Sequence, residues 1–101
     1  DEIISFHPLE RQTIRAIADI MIGDLRKSLE VRSVSLLVED AVLDYLAENG
    51  YDRKFGARSL KRAIQREVED RIAQEMIDHF ERDAKTVRCY LQNGKINVEL
   101  Q

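Results

Sequence analysis

Val87-Arg88-Cys89-Tyr90-Leu91-Gln92-Asn93-Gly94-Lys95-Ile96-Asn97-Val98-Glu99-Leu100 is the stretch that decides the fold class. Asn-Gly is the preferred central pair of a type I′ turn, because both central residues need positive φ. Counting outward from Asn93-Gly94 pairs Gln92 with Lys95, Leu91 with Ile96, Tyr90 with Asn97, Cys89 with Val98, Arg88 with Glu99 and Val87 with Leu100. In this register every apolar pair falls on one face, and Arg88 meets an opposite charge on the other. A slip of one residue would lose both features, since side chains alternate with a period of two. The chain is therefore expected to end in a hairpin with one buried face.

The segments before the hairpin read mostly as helix. Ile14, Ile17, Ala18, Met21, Ile22, Leu25 and Leu29 form one stripe at helical period. Pro8 suits a first helical turn, where its missing N–H costs nothing, so the spacing predicts a helix over residues 8–29. Val34-Ser35-Leu36-Leu37-Val38 reads as a strand. Glu39-Asp40 then caps a second helix whose inner face is Ala41, Val42, Tyr45 and Leu46. Asn49-Gly50 reads as a left-handed stop and residues 51–56 as a loop. Leu60, Ala63, Ile64, Val68, Ile72 and Met76 stripe a third helix over residues 57–80, with a mixed-charge outer side. Three main helices packed with a small three-stranded sheet that includes the C-terminal hairpin make an α+β fold, expected to be a single domain over residues 1–101.

Composition narrows the function classes. The chain has 101 residues, 44% hydrophobic and 35% charged, and so suits one small globular core. No apolar run approaches the length of a membrane span, and no basic region followed by an apolar stretch opens the chain. The net charge of −3 argues against a dedicated nucleic-acid binder. The single cysteine, Cys89, excludes an internal disulfide and fits a reducing, cytoplasmic setting. Without an initiating Met, the chain is expected to be a fragment of a longer protein.

No self-contained catalytic constellation is visible. None of Gly23, Gly50, Gly56 and Gly94 builds a Gly-x-x-x-x-Gly-Lys-Ser/Thr phosphate loop. His7 and His79 are far apart and lack ligand-like neighbours, so no metal site is expected. Cys89 faces the core side of the hairpin, as a small buried hydrophobe rather than a nucleophile. The unusual segment is Tyr51-Asp52-Arg53-Lys54-Phe55-Gly56-Ala57-Arg58-Ser59-Leu60-Lys61-Arg62, which sets Arg53, Lys54, Arg58, Lys61 and Arg62 around a helix start. That end of a helix is already partly positive, so cations there repel one another unless an anion arrives. Spacing alone leaves open a nucleotide phosphate, a nucleic-acid phosphate, an acidic partner, or a solvated basic rim with Arg53 or Lys54 paired to Asp52.

Gly56-Ala57-Arg58 followed by Ser59-Leu60-Lys61-Arg62-Ala63-Ile64-Gln65 resembles the sensor-2 motif of Clp-type AAA+ ATPases. Asn49-Gly50-Tyr51-Asp52 is similar to the loop leading into that motif. Asp1-Glu2-Ile3-Ile4-Ser5-Phe6-His7-Pro8-Leu9 resembles the family's lead-in to its C-terminal small, or lid, subdomain. The likeness covers nearly the whole chain in the right order. It departs where relatives often have proline, at Arg53 and Ser59.

The resemblance implies a lid that closes over ATP or ADP held, with Mg, by a large subdomain carrying the Walker motifs. Arg58 would be the sensor-2 arginine at the γ-phosphate and Ala57 its neighbour at the nucleotide. Lys61 would be a possible further phosphate contact or a surface lysine, and Ile17 an apolar contact for adenine or ordinary core. The isolated domain is not expected to be catalytic, whereas the parent would be an ATP hydrolase. Its partners would be the large subdomains of the same and neighbouring subunits of a homo-hexamer and protein substrates. A peptidase partner is left open, and neither a membrane nor nucleic acid is expected. The competing reading is a stand-alone interaction or nucleic-acid-binding module that uses the basic cluster of residues 53–62.

Overall fold

The computed structural model describes residues 10–52, 54–80 and 83–101. The elements run α1 (Arg11–Glu30), β1 (Ser35–Val38), α2 (Asp40–Asn49), α3 (Ala57–Ile64), a π-helical segment (Gln65–Glu69), α4 (Asp70–Asp78), β2 (Thr86–Gln92) and β3 (Lys95–Leu100). α3, the π segment and α4 are one continuous third helix, so the α+β architecture of three helices and three strands is the one expected. The lead-in and Pro8 lie outside the described residues, as does Arg53.

The sheet has the order β1-β2-β3, with β1 parallel to β2 and β2 antiparallel to β3. Every hairpin pair matches the expected register. Asn93 and Gly94 take φ of 54° and 72°, as a type I′ turn requires. On the inner face Val87, Cys89, Ile96 and Leu100 are buried, and they join Leu36 of β1. Ile14, Ala18 and Ile22 of α1, Val42 and Leu46 of α2, and Leu60, Ala63, Val68 and Ile72 of the third helix complete one core. On the outer face the Arg88 guanidinium pairs with Glu99 at 3.1 Å and Glu39 at 2.7 Å, and it stacks on the Tyr90 ring at 4.5 Å.

Several local expectations are corrected. Glu39 stands at the N-cap of α2 but makes no side-chain cap bond, because its carboxylate is engaged by Arg88. Ala41 is exposed, and the buried face of α2 is Val42, Leu43, Leu46 and Ala47, with Tyr45 half-buried against the core as expected. The turn out of α1 passes through Ser33 at φ 62°, a conformation met there without glycine. Gly50 is not left-handed, for its φ is −93°. A β-carbon there would lie 2.8 Å from the Leu46 carbonyl oxygen and 3.1 Å from Ala63 Cβ. Glycine is required both by the last turn of α2, through the Leu46 carbonyl, and by the close approach of Ala63 on α3.

The third helix is not uniformly α-helical. Ile64, Val68, Ile72 and Met76 recur every four residues, more than the roughly 3.6 residues of an α-turn, so their stripe would drift off the core. The wider turn at Gln65–Glu69 absorbs that drift and keeps Val68 and Ile72 buried. Tyr45 donates to Glu67 at 2.9 Å across this segment, and that bond raises the tyrosine pKa. The Arg71 guanidinium donates to the Ile96 carbonyl, tying α4 to β3.

Two glycines and the cysteine test this packing. Gly50→Ala should destabilise the domain by about 1–3 kcal/mol through overpacking. Gly23→Ala, in mid-helix with nothing within 4 Å of a new β-carbon, should stabilise it by about 0.5–1 kcal/mol. Denaturation midpoints check both, and equal effects would contradict the packing at Gly50. Burial pushes the Cys89 thiol up from 9.0 to about 11. The unfolded thiol ionises first, so stability should fall as pH rises from 9 towards about 11. Cys89→Val should remove that component, and native Cys89 should resist thiol reagents at neutral pH.

Candidate functional site

The segment between α2 and α3 folds back on itself before the helix begins. Gly56 N–H donates to the Asp52 carbonyl at 2.6 Å, closing a small bridge. Gly56 itself adopts φ 58° and ψ −130°, a backbone region that side chains resist. Within the reversal, Lys54 N–H donates to Asp52 Oδ1 at 2.7 Å. Lys54 thus bonds Asp52 through its backbone, while its ammonium lies 5.5 Å from the Phe55 ring centroid.

α3 starts from Gly56 without a side-chain cap and without an acid in its first turn. Ala57 and Arg58 are exposed there, with Lys61 and Arg62 exposed one turn on. Among the described residues, Arg58, Lys61 and Arg62 make no ion pair and no side-chain hydrogen bond. The guanidinium groups that brace the fold differ. Arg15 reaches Asp40 at 2.8 Å and Asp44 at 2.9 Å, and Arg11 reaches Glu48 at 3.3 Å. The start of α3 therefore combines partial positive charge from the helix with exposed cations that have no carboxylate partner among the described residues, an arrangement suited to a multiply charged anion.

The structure brings Ala57, Arg58 and Lys61 together on two successive turns. Lys61 also borders a shallow cleft between α1 and α3, with Met21, Leu25 and Ile64 among its walls. Ile17 is a half-buried residue of α1 packed against the core, and only the resemblance carries an adenine role for it. The sequence marks Ser59 only as a departure from proline and does not reveal the bonds of its hydroxyl, which accepts from Asp52 N–H at 2.7 Å and donates to the Gly56 carbonyl at 2.8 Å. Its signal was available in the short spacing of Asp52, Gly56 and Ser59, but a hydroxyl in a first turn has several possible partners. No group of three or more His, Cys, Asp or Glu among the described residues could hold a metal ion, and no described helix is long and apolar enough to cross a membrane.

Comparison with known proteins gives the family of the chain. The family profile described as the C-terminal, D2-small domain, of ClpB protein matches residues 9–89. Chaperone protein ClpB 2 of Nostoc sp. (strain PCC 7120 / SAG 25.82 / UTEX 2576) is 42% identical over 97 residues, 96% of this chain and 11% of the relative. Chaperone protein ClpB of Rhizobium meliloti (strain 1021) is 40% identical over 99 residues, 98% of this chain and 11% of the relative. Chaperone protein ClpB of Rickettsia typhi (strain ATCC VR-144 / Wilmington) is 39% identical over 100 residues, 99% of this chain and 12% of the relative. The chain thus spans 11–12% of the length of these relatives. With the profile covering most of it, the chain belongs to the family of C-terminal D2-small domains of ClpB.

Proposed function

We propose that this domain is the lid of an AAA+ chaperone ATPase, closing over ATP on a large subdomain and coupling hydrolysis to protein remodelling. The observation that carries the reading is Arg58, exposed at an uncapped helix start with no partner among the described residues. A planar guanidinium matches phosphate geometry, and it favours the crowded charge of a triphosphate over a diphosphate. Ala57 adds a small side chain that leaves room beside the helix start. Lys61 adds a second positive charge one turn away. Bound nucleotide supplies the scissile phosphoanhydride and, through the large subdomain, its Mg ion. The domain contributes an arginine to that chemistry rather than a complete active site.

The rest of the fold suits a rigid lever. Arg58 stands on a helix continuous with α4, which Arg71 ties to the sheet, so force at Arg58 would turn the domain as a body. Ile20, Val31, Leu37, Ile77 and Phe80 are large apolar side chains left exposed. They suit contact with the large subdomains of the same and neighbouring subunits in a hexameric ring. The names of the relatives favour a chaperone acting on protein substrates over a subunit that feeds a peptidase. A cytoplasmic setting belongs to the same reading.

Arg58→Ala in the full-length ATPase tests the proposal. Its melting temperature should be unchanged, because the side chain is exposed and braces nothing. ATP turnover, or its coupling to substrate unfolding, should fall roughly 10- to 1,000-fold, as when one positioned donor to developing charge is removed. Wild-type turnover and unfolding in that variant would contradict the assignment.

A further inference from the structure

The turn that carries Arg58 is held unusually. Arg58 N–H donates to the Phe55 carbonyl and Ser59 N–H to the Gly56 carbonyl, both at 3.2 Å, long for backbone bonds. Beside the 2.6 Å backbone bond from Gly56 N–H to the Asp52 carbonyl, two further short bonds join this turn to the helix through one side chain. Ser59 Oγ accepts from Asp52 N–H at 2.7 Å and donates to the Gly56 carbonyl at 2.8 Å. A serine hydroxyl has one proton to give, and here it goes to the carbonyl of the positive-φ glycine while a lone pair holds the start of the loop. Arg58 lies between the two residues so joined, Gly56 and Ser59.

We infer that Ser59 is a positioning residue, a hydroxyl clamp that fixes the start of α3 and so aims Arg58. The inference rests on the reading of Arg58 given above. Gly56 at φ 58° could otherwise relax, since glycine alone imposes no barrier to leaving that region. Without the hydroxyl the Asp52–Gly56 backbone bond would still close the loop, and only the two long backbone bonds from Arg58 and Ser59 would join it to the helix. Asp52 is exposed, so water can replace the lost acceptor and the fold survives. What is lost is the pre-set direction of the arginine, and positioned groups are sensitive to small displacements.

The test compares Ser59→Ala, Ser59→Thr, Arg58→Ala and the Arg58→Ala/Ser59→Ala double variant in the full-length ATPase. Two readouts are taken: hydrogen exchange of residues 50–60 without nucleotide, and kcat/KM for ATP. Ser59→Ala should speed exchange in that segment while leaving α1 unchanged, and should lower kcat/KM about three- to ten-fold, the scale of one or two hydrogen bonds. Ser59→Thr, which keeps the hydroxyl, should restore both. In the Arg58→Ala background the Ser59→Ala loss in kcat/KM should vanish, because the clamp then has nothing to aim. An equal loss in both backgrounds would overturn the clamp as a positioning device, as would unchanged exchange or unchanged turnover in Ser59→Ala. If Arg58→Ala itself leaves turnover intact, the phosphate reading fails, and the clamp's part in it fails with it.

Discussion

The close approach of the end of α2 to α3 at Gly50 is the constraint on which the placement of the site depends. With no room for a β-carbon against the Leu46 carbonyl and Ala63, α2 delivers the chain directly onto the flank of α3. The six residues that follow must then reverse within a few ångströms to enter the helix they have just reached. That demand explains Gly56 in a region reserved for glycine, the Asp52–Gly56 bridge and the hydroxyl of Ser59 spanning both. The uncapped helix start and its exposed arginine are products of this short return.

Much of the architecture was legible because it depends on local rules. The hairpin could be registered to the residue, since turn chemistry and a period of two agree at every pair. The three helices were visible as stripes. The misreadings are instructive. Asn-Gly at a helix end usually marks a left-handed stop, whereas Gly50 is needed because a β-carbon would meet the Leu46 carbonyl of its own helix and Ala63 of α3, a partner remote in sequence. Four-residue spacing from Ile64 to Met76 did carry the signal of a wider turn, which an average period smooths away. Ala41 and Ala47 are the same residue type, and the face set by Val42, Leu43 and Leu46 decides that Ala47 is the buried one.

The site was legible in a different way. Cations at a helix start are visible in sequence and unfavourable on elementary grounds, but charge spacing names no ligand. The proposed nucleotide phosphate rests on the reading of the family as a lid, and the structure adds which cations pair with described carboxylates. Arg15 and Arg88 are each forked between two carboxylates, bracing α1 to α2 and α2 to the sheet. Arg58 is not part of that bracing among the described residues, which is the physical basis of the sensing role proposed for it. Ile17 shows the limit, since a half-buried residue on a core stripe looks the same whether or not it touches a base.

The most direct measurement is a structure of the full-length ATPase bound to a slowly hydrolysed ATP analogue, compared with the same protein bound to ADP. The account predicts the Arg58 guanidinium within hydrogen-bonding distance, about 3 Å, of a γ-phosphate oxygen in the first state and withdrawn from the nucleotide in the second. An Arg58 side chain turned to solvent in both states, with another cation at the γ-phosphate, would contradict it.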